Sequence, residues 1–221
     1  INFGAAGGTM TFDYSGTSNV GKLTVNAAGA NIVVNGGTLS LTDSFGNANT
    51  TVSGTGTLAV AGDAAFSTGT GRLSNLKIGA GTVSAGGDSK FGNISYAGAD
   101  GALEIGKTAT VSGNITVGAD NKISGGELIV SGTGASGTFW SGLENLNKLT
   151  GDGGAVLNIN ASTKIGTSGG GLSLKNNASA VVASGVVLSV GGDLGDSASD
   201  SFVRGDGTLN LFDDAQFWAS L

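Results

Sequence analysis

Residues 57–66 read Thr57-Leu58-Ala59-Val60-Ala61-Gly62-Asp63-Ala64-Ala65-Phe66, and residues 82–91 read Thr82-Val83-Ser84-Ala85-Gly86-Gly87-Asp88-Ser89-Lys90-Phe91. Both follow one rule: apolar, any, apolar, a Gly/Ala corner with Asp, then an apolar or aromatic residue. Alternation of this kind buries one face of a short strand. Thr208-Leu209-Asn210-Leu211-Phe212-Asp213-Asp214-Ala215-Gln216-Phe217 is a third full copy. Ile115, Val117, Asp120 and Ile123 keep the same offsets. Leu103, Ile105, Thr108 and Val111 keep them with Thr for Asp, and Leu157, Ile159, Ser162 and Ile165 with Ser. Leu39, Leu41, Asp43 and Phe45 close the corner two residues sooner. Leu188, Val190 and Asp193 fit, with Asp196 in the aromatic slot.

A second element, Gly-x-Gly-x-apolar, leads into many copies: Gly54-Thr55-Gly56-Thr57-Leu58, Gly79-Ala80-Gly81-Thr82-Val83 and Gly205-Asp206-Gly207-Thr208-Leu209. Looser forms run from Gly98 to Leu103 and from Gly151 to Leu157. Upstream lies a third short strand, as in Leu76 and Ile78 or Ile94 and Tyr96. A strand this short buries one face and cannot stand alone. Stacking each coil on the next pairs its backbone groups above and below. The expected fold is all-β: a right-handed parallel β-helix of roughly ten three-strand coils, one domain over residues 1–221. An antiparallel sandwich would need hairpin turns between neighbouring strands, which the repeat does not favour. Residues 139–149 depart from the rule, with apolar residues three apart. They read as a coil strand rather than a helical turn, because Leu143-Glu144-Asn145-Leu146 echoes Leu73-Ser74-Asn75-Leu76. Trp140 is expected to cap or fill an enlarged coil there, ahead of standing exposed as a binding aromatic.

Composition agrees. The 221 residues hold Gly 43, Pro 0, Cys 0 and His 0. That much glycine suggests low complexity, but Leu, Ile, Val and Phe make up about a quarter of the chain, enough to bury a core. Proline would remove a ladder donor from strands that are central nearly everywhere. The net charge is −6, without a Lys/Arg cluster, so no nucleic-acid partner is expected. No apolar run approaches the length of a membrane helix, so no transmembrane segment is expected. The absence of Cys suits a large exported protein that relies on its core. The ends, Ile1-Asn2-Phe3 and the repeat ending at Phe217, carry no polar cap, so the chain reads as a segment of something longer or one whose ends pair with neighbours.

The units GTGTLAVAGDAAF at 54–66, GAGTVSAGGDSKF at 79–91 and LENLNKLTGDGGAVLNI at 143–159 resemble the repeats of Gram-negative autotransporter passenger domains and related β-helical adhesins. The resemblance implies export to the outer cell surface, a right-handed β-helix, and roles in adhesion, biofilm or surface coating. Such proteins often end in a membrane barrel, and no series of barrel strands is present in these residues. No functional residue of that class maps onto this sequence.

Candidate chemistry is sparse. Without His or Cys, nucleophile-plus-base catalysis would need Ser/Lys or paired carboxylates. The acids fall at corners, where Asp bonds to nearby backbone. No catalytic, cofactor-binding or metal residue is assigned, and no cofactor is expected. Asp193, Asp196 and Asp200 raise calcium binding, but miss the spacing of the calcium-binding nonapeptide. Arg204-Gly205-Asp206 spells an integrin ligand, yet its Gly205 belongs with Gly207 to a repeat corner. The threonine pairs Thr9/Thr11, Thr55/Thr57, Thr68/Thr70 and Thr108/Thr110 raise ice binding without a common register. The expected function is an extracellular structural or adhesive rod, not an enzyme, whose partner is a cell surface, a matrix, or copies of itself end to end. The alternatives are a subunit that polymerises by coil stacking, and a carbohydrate-active enzyme.

Overall fold

The alternation of buried and exposed positions along most strands suits a closed coil, and that is what the computed structural model contains. It describes residues 1–4, 6–25, 29–43, 45–47, 51–66, 72–143, 145–166, 170–192, 194 and 200–212. Among these there is no helix and every strand pairing is parallel. The chain winds through about nine turns of a β-solenoid, a rod of roughly 45 Å at about 4.8 Å per turn.

Three faces recur. Face I holds Leu23–Val25, Phe45–Asn47, Ala64–Phe66, Thr82–Ala85, residues 102–105 and residues 122–125, each pairing with the next. It resumes at Thr163–Ile165, Val187–Gly191 and Thr208–Phe212 as a separate three-stranded sheet. Face II includes residues 9–14, 31–34, 108–111, 127–130, 148–151 and Gly171–Leu174. Face III is unbroken from residues 17–20 through 38–41, 57–60, 75–78 and 93–96 to Asn114–Val117, Ser136–Phe139, Val156–Ile159, Ser179–Val182 and Phe202–Gly205.

The core follows directly. On face III the inward column runs Leu39, Leu58, Leu76, Ile94, Ile115, then Leu157 and Ala180, all buried. Gly137 interrupts it because the Phe139 ring fills that space: a Cβ on Gly137 would lie 2.8 Å from ring atoms. Phe66, Phe91 and Phe139 are the largest fully buried side chains. A Leu or Phe fully removed from water contributes about 1.5–3 kcal/mol, so the core is the main stabilising term.

The repeat of the sequence is real but changes face. Leu39 stacks on Leu58 on face III, whereas Val83 stacks on Leu103 on face I. One motif therefore serves the corner from III to I in some coils and the corner from I to II in others. The same shift explains residues 139–149. Ser136–Phe139 closes a face III strand, and Leu143 and Leu146 point inward before the strand Leu146–Asp152. Trp140 corrects the expectation: it neither fills nor caps the coil interior, and stands 53 % exposed. Phe139 and Leu143, both fully buried, already occupy that interior.

Candidate functional site

The corners between faces III and I are unequal. Residues 79–81 and 140–142 make short corners, while 97–101 and 118–121 are longer. Extra residues at a corner have nowhere to go but outward. The face I ladder also thins after residues 122–125, where only Gly125 pairs with the next coil, at Leu146, before a full ladder resumes at Thr163–Ile165. Across that gap the Leu143 N–H donates to the Thr163 hydroxyl rather than to a ladder carbonyl.

Protruding corners and an interrupted ladder together leave a groove of about 710 Å³. Asp100, Glu104, Asp120, Lys122, Ser124 and Ser141 are among its lining residues. Asp100 sits at φ 64°, a left-handed conformation that Asp tolerates, and its N–H donates to the Asp120 carbonyl at 3.1 Å. Glu104 accepts from the Ser84 hydroxyl at 2.9 Å. Asn121 ties two corners together: its Nδ2 donates to the Gly98 carbonyl at 2.7 Å, and its Oδ1 accepts from the Gly118 N–H at 3.2 Å. Behind the groove Tyr96 donates to the Lys122 carbonyl at 3.1 Å. Burial pushes its hydroxyl well above the ordinary phenol range. Ser141 is 8 % exposed, and its hydroxyl has no hydrogen-bond partner. A buried hydroxyl without a partner costs about 1–3 kcal/mol.

The residues singled out by sequence fall elsewhere. Asp63 does what a corner Asp is expected to do: its Oδ1 accepts from the Thr82 N–H of the next coil at 2.8 Å. Asp152 likewise accepts from Asn176 at 2.7 Å. Asp193 and Asp196 lie outside the described residues, as do Thr68, Thr70, Asp213, Asp214 and Phe217; Asp200 is exposed. Among the described residues no group of three or more acids is placed to hold a metal ion. Arg204-Gly205-Asp206 is a tight corner, since a Cβ on Gly205 would lie 2.1 Å from the Val182 carbonyl oxygen. Thr9/Thr11 and Thr108/Thr110 share face II but are separated by levels carrying Asn31/Val33 and Lys90. Thr57 instead joins a ladder at the start of face III that runs Thr17, Thr38, Thr57, Asn75, Asn93, Asn114 and Ser136. Adjacent members bond: Asn93 Nδ2 to Asn75 Oδ1 at 3.0 Å, and the Ser136 hydroxyl to Asn114 Oδ1 at 2.9 Å.

The groove was not foreseen from the sequence. Its one signal was the loosened Gly-x-Gly spacing from Gly98 to Leu103. Comparison with protein-family models, with curated proteins and with solved structures finds no match to this chain. Among the described residues no helix is long and apolar enough to cross a membrane.

Proposed function

We propose that this chain is an extracellular structural or adhesive rod of a bacterial outer surface, presenting a long, rigid polar face to its surroundings. The observation that carries the reading is the Thr17-to-Ser136 ladder on face III. Short polar side chains repeat at the inter-coil spacing along a rigid rod, a surface suited to many shallow contacts rather than one deep site. The resemblance of its repeats to autotransporter passenger domains agrees with it, as does the absence of His and Cys from the whole sequence. No catalytic role is assigned.

The test is display of the chain on cells that otherwise do not attach, followed by counts of cells retained on abiotic and host-cell surfaces under flow. Retention is expected to rise several-fold. Unchanged retention on every surface overturns the adhesive reading, and turnover of a polysaccharide by the purified chain overturns the non-enzymatic one.

A further inference from the structure

We infer that the level of residues 140–147 is a hinge built into the rod: the coils open there first, on face I, while faces II and III stay paired. The inference concerns how the rod gives way, and stands or falls independently of what the rod adheres to.

Two ladders cross this level intact. On face III, Asn114–Val117, Ser136–Phe139 and Val156–Ile159 pair residue for residue. On face II, residues 127–130 pair with 148–151, and 148–151 pair with Gly171–Leu174. Face I differs. On one side of the level, residues 102–105 pair with 122–125 at every position, and on the other Thr163–Ile165 pairs with residues 188–190. In between, the described bonds to the neighbouring coils are isolated ones. Gly125 N–H donates to the Asn145 carbonyl at 2.8 Å, Leu143 N–H to the Thr163 hydroxyl, and Gly166 N–H to the Leu146 carbonyl at 3.2 Å. Leu146 N–H turns back on its own segment, to the Leu143 carbonyl at 3.0 Å. Burial of Leu143 and Leu146 holds this stretch, and burial is non-directional. The other two faces add a ladder to it.

Two further observations fall at the same level. The buried Ser141 hydroxyl has no partner among the described residues. It gains water when the level opens, so the closed state carries a cost that opening relieves. The coil also changes size here. One turn takes 20 residues from Thr138 to Asn158, but 25 from Ser162 to Val187. In a stacked array the stability is a sum of nearest-neighbour interfaces, so the array opens first at its weakest one. With two ladders intact, that opening bends the rod without separating its halves.

Amide exchange of the whole chain, read residue by residue by NMR, tests this. Gly125, Leu143 and Gly166 report on the face I level. Lys175 N–H, which donates to the Gly151 carbonyl at 2.9 Å, joins the same two coils as Gly166 on their far side. Ala102 N–H, which donates to the Gly81 carbonyl at 3.1 Å, stands for a regular part of face I. After correction for intrinsic rates, the three reporters are expected to exchange about tenfold faster than Lys175 and Ala102. Thr163→Val removes the acceptor for Leu143 at nearly constant shape. It is expected to speed all three reporters several-fold and leave Lys175 and Ala102 unchanged. Ser141→Ala removes the hydroxyl without a partner and is expected to slow the three. Circular dichroism melts within a few degrees of the parent show that each variant keeps its fold, and the comparison within the parent stands without them. The inference is overturned if the three reporters exchange no faster than Lys175 and Ala102. It is also overturned if Thr163→Val changes all five amides alike, which would make the rod one cooperative unit. Counts of attached cells move neither result, so the hinge and the adhesive reading fail separately.

Discussion

The coils around residues 57–96 and those from residue 156 onward differ in circumference and in how they turn. In the first region Asn75 lies under Asn93, 18 residues on. In the second, Thr163 pairs with Leu188, and Val187 reaches Ser162 across 25 residues. Among the described residues of the narrow coils, between 57 and 96, none has positive φ. Their glycines are there for space: a Cβ on Gly81 would lie 2.2 Å from the backbone of Gly62 in the coil below. The wide coils turn through left-handed residues, among them Asn176, Asn177 and Gly185, and Gly185 has nothing within 4 Å of its missing Cβ. Glycine thus serves closeness in both regions, as Gly192 and Gly205 show in the wide one, and adds dihedral freedom in the wide coils.

That contrast can be broken at several points, and urea unfolding followed by circular dichroism reads most of them. Phe91→Ala, in the narrow region, is expected to cost about 3–5 kcal/mol, because rigid neighbouring coils cannot collapse on the cavity. Gly81→Ala forces two coils apart and is expected to cost about 1–3 kcal/mol. Tyr96 adds a pH test. Its folded hydroxyl resists ionisation, so above pH 10 the unfolded chain alone releases this proton. Stability is then lost as pH rises from the unfolded value of 10.0 toward the raised folded value, at up to about 1.4 kcal/mol per pH unit. Tyr96→Phe should remove that part of the alkaline slope, and an unchanged slope would show that the hydroxyl is not desolvated. Gly185→Ala meets only the dihedral cost, about 1 kcal/mol. Glu127→Gln is expected to change stability least, by under about 1 kcal/mol. Its partner Lys148, at 3.3 Å, is partly exposed, and a Gln oxygen can still accept from Thr150. Should Gly185→Ala prove costlier than Gly81→Ala, the contrast between a glycine held by crowding and one held by its dihedral would be wrong.

Much of this was legible in the residues. Alternation at Leu58/Val60 and Val83/Ala85 marks strands, and Gly-x-Gly marks corners, because both are local requirements of backbone and burial. Which face a strand joins is not local. Leu39 and Leu58 share face III while Val83 and Leu103 share face I, since the corner signature is the same wherever the chain turns inward. Trp140 was misread for a related reason. An aromatic after an inward Phe139 must point outward by alternation, but the irregular spacing of 139–149 hid where the strand ended. The groove depended on two corner lengths and a gap in one ladder, features that appear only when several coils are stacked together.

The register of the narrow coils has a genetic consequence. Arg72, Leu73, Asn75, Leu76 and Ile78 lie directly beneath Lys90, Phe91, Asn93, Ile94 and Tyr96. Recombination joining the codon before Asn75 to that of Asn93 would excise one whole turn and leave each remaining strand facing a compatible neighbour. The reach of this molecule is therefore a heritable quantity that shortens or lengthens in whole steps of about 4.8 Å, without a new fold having to evolve.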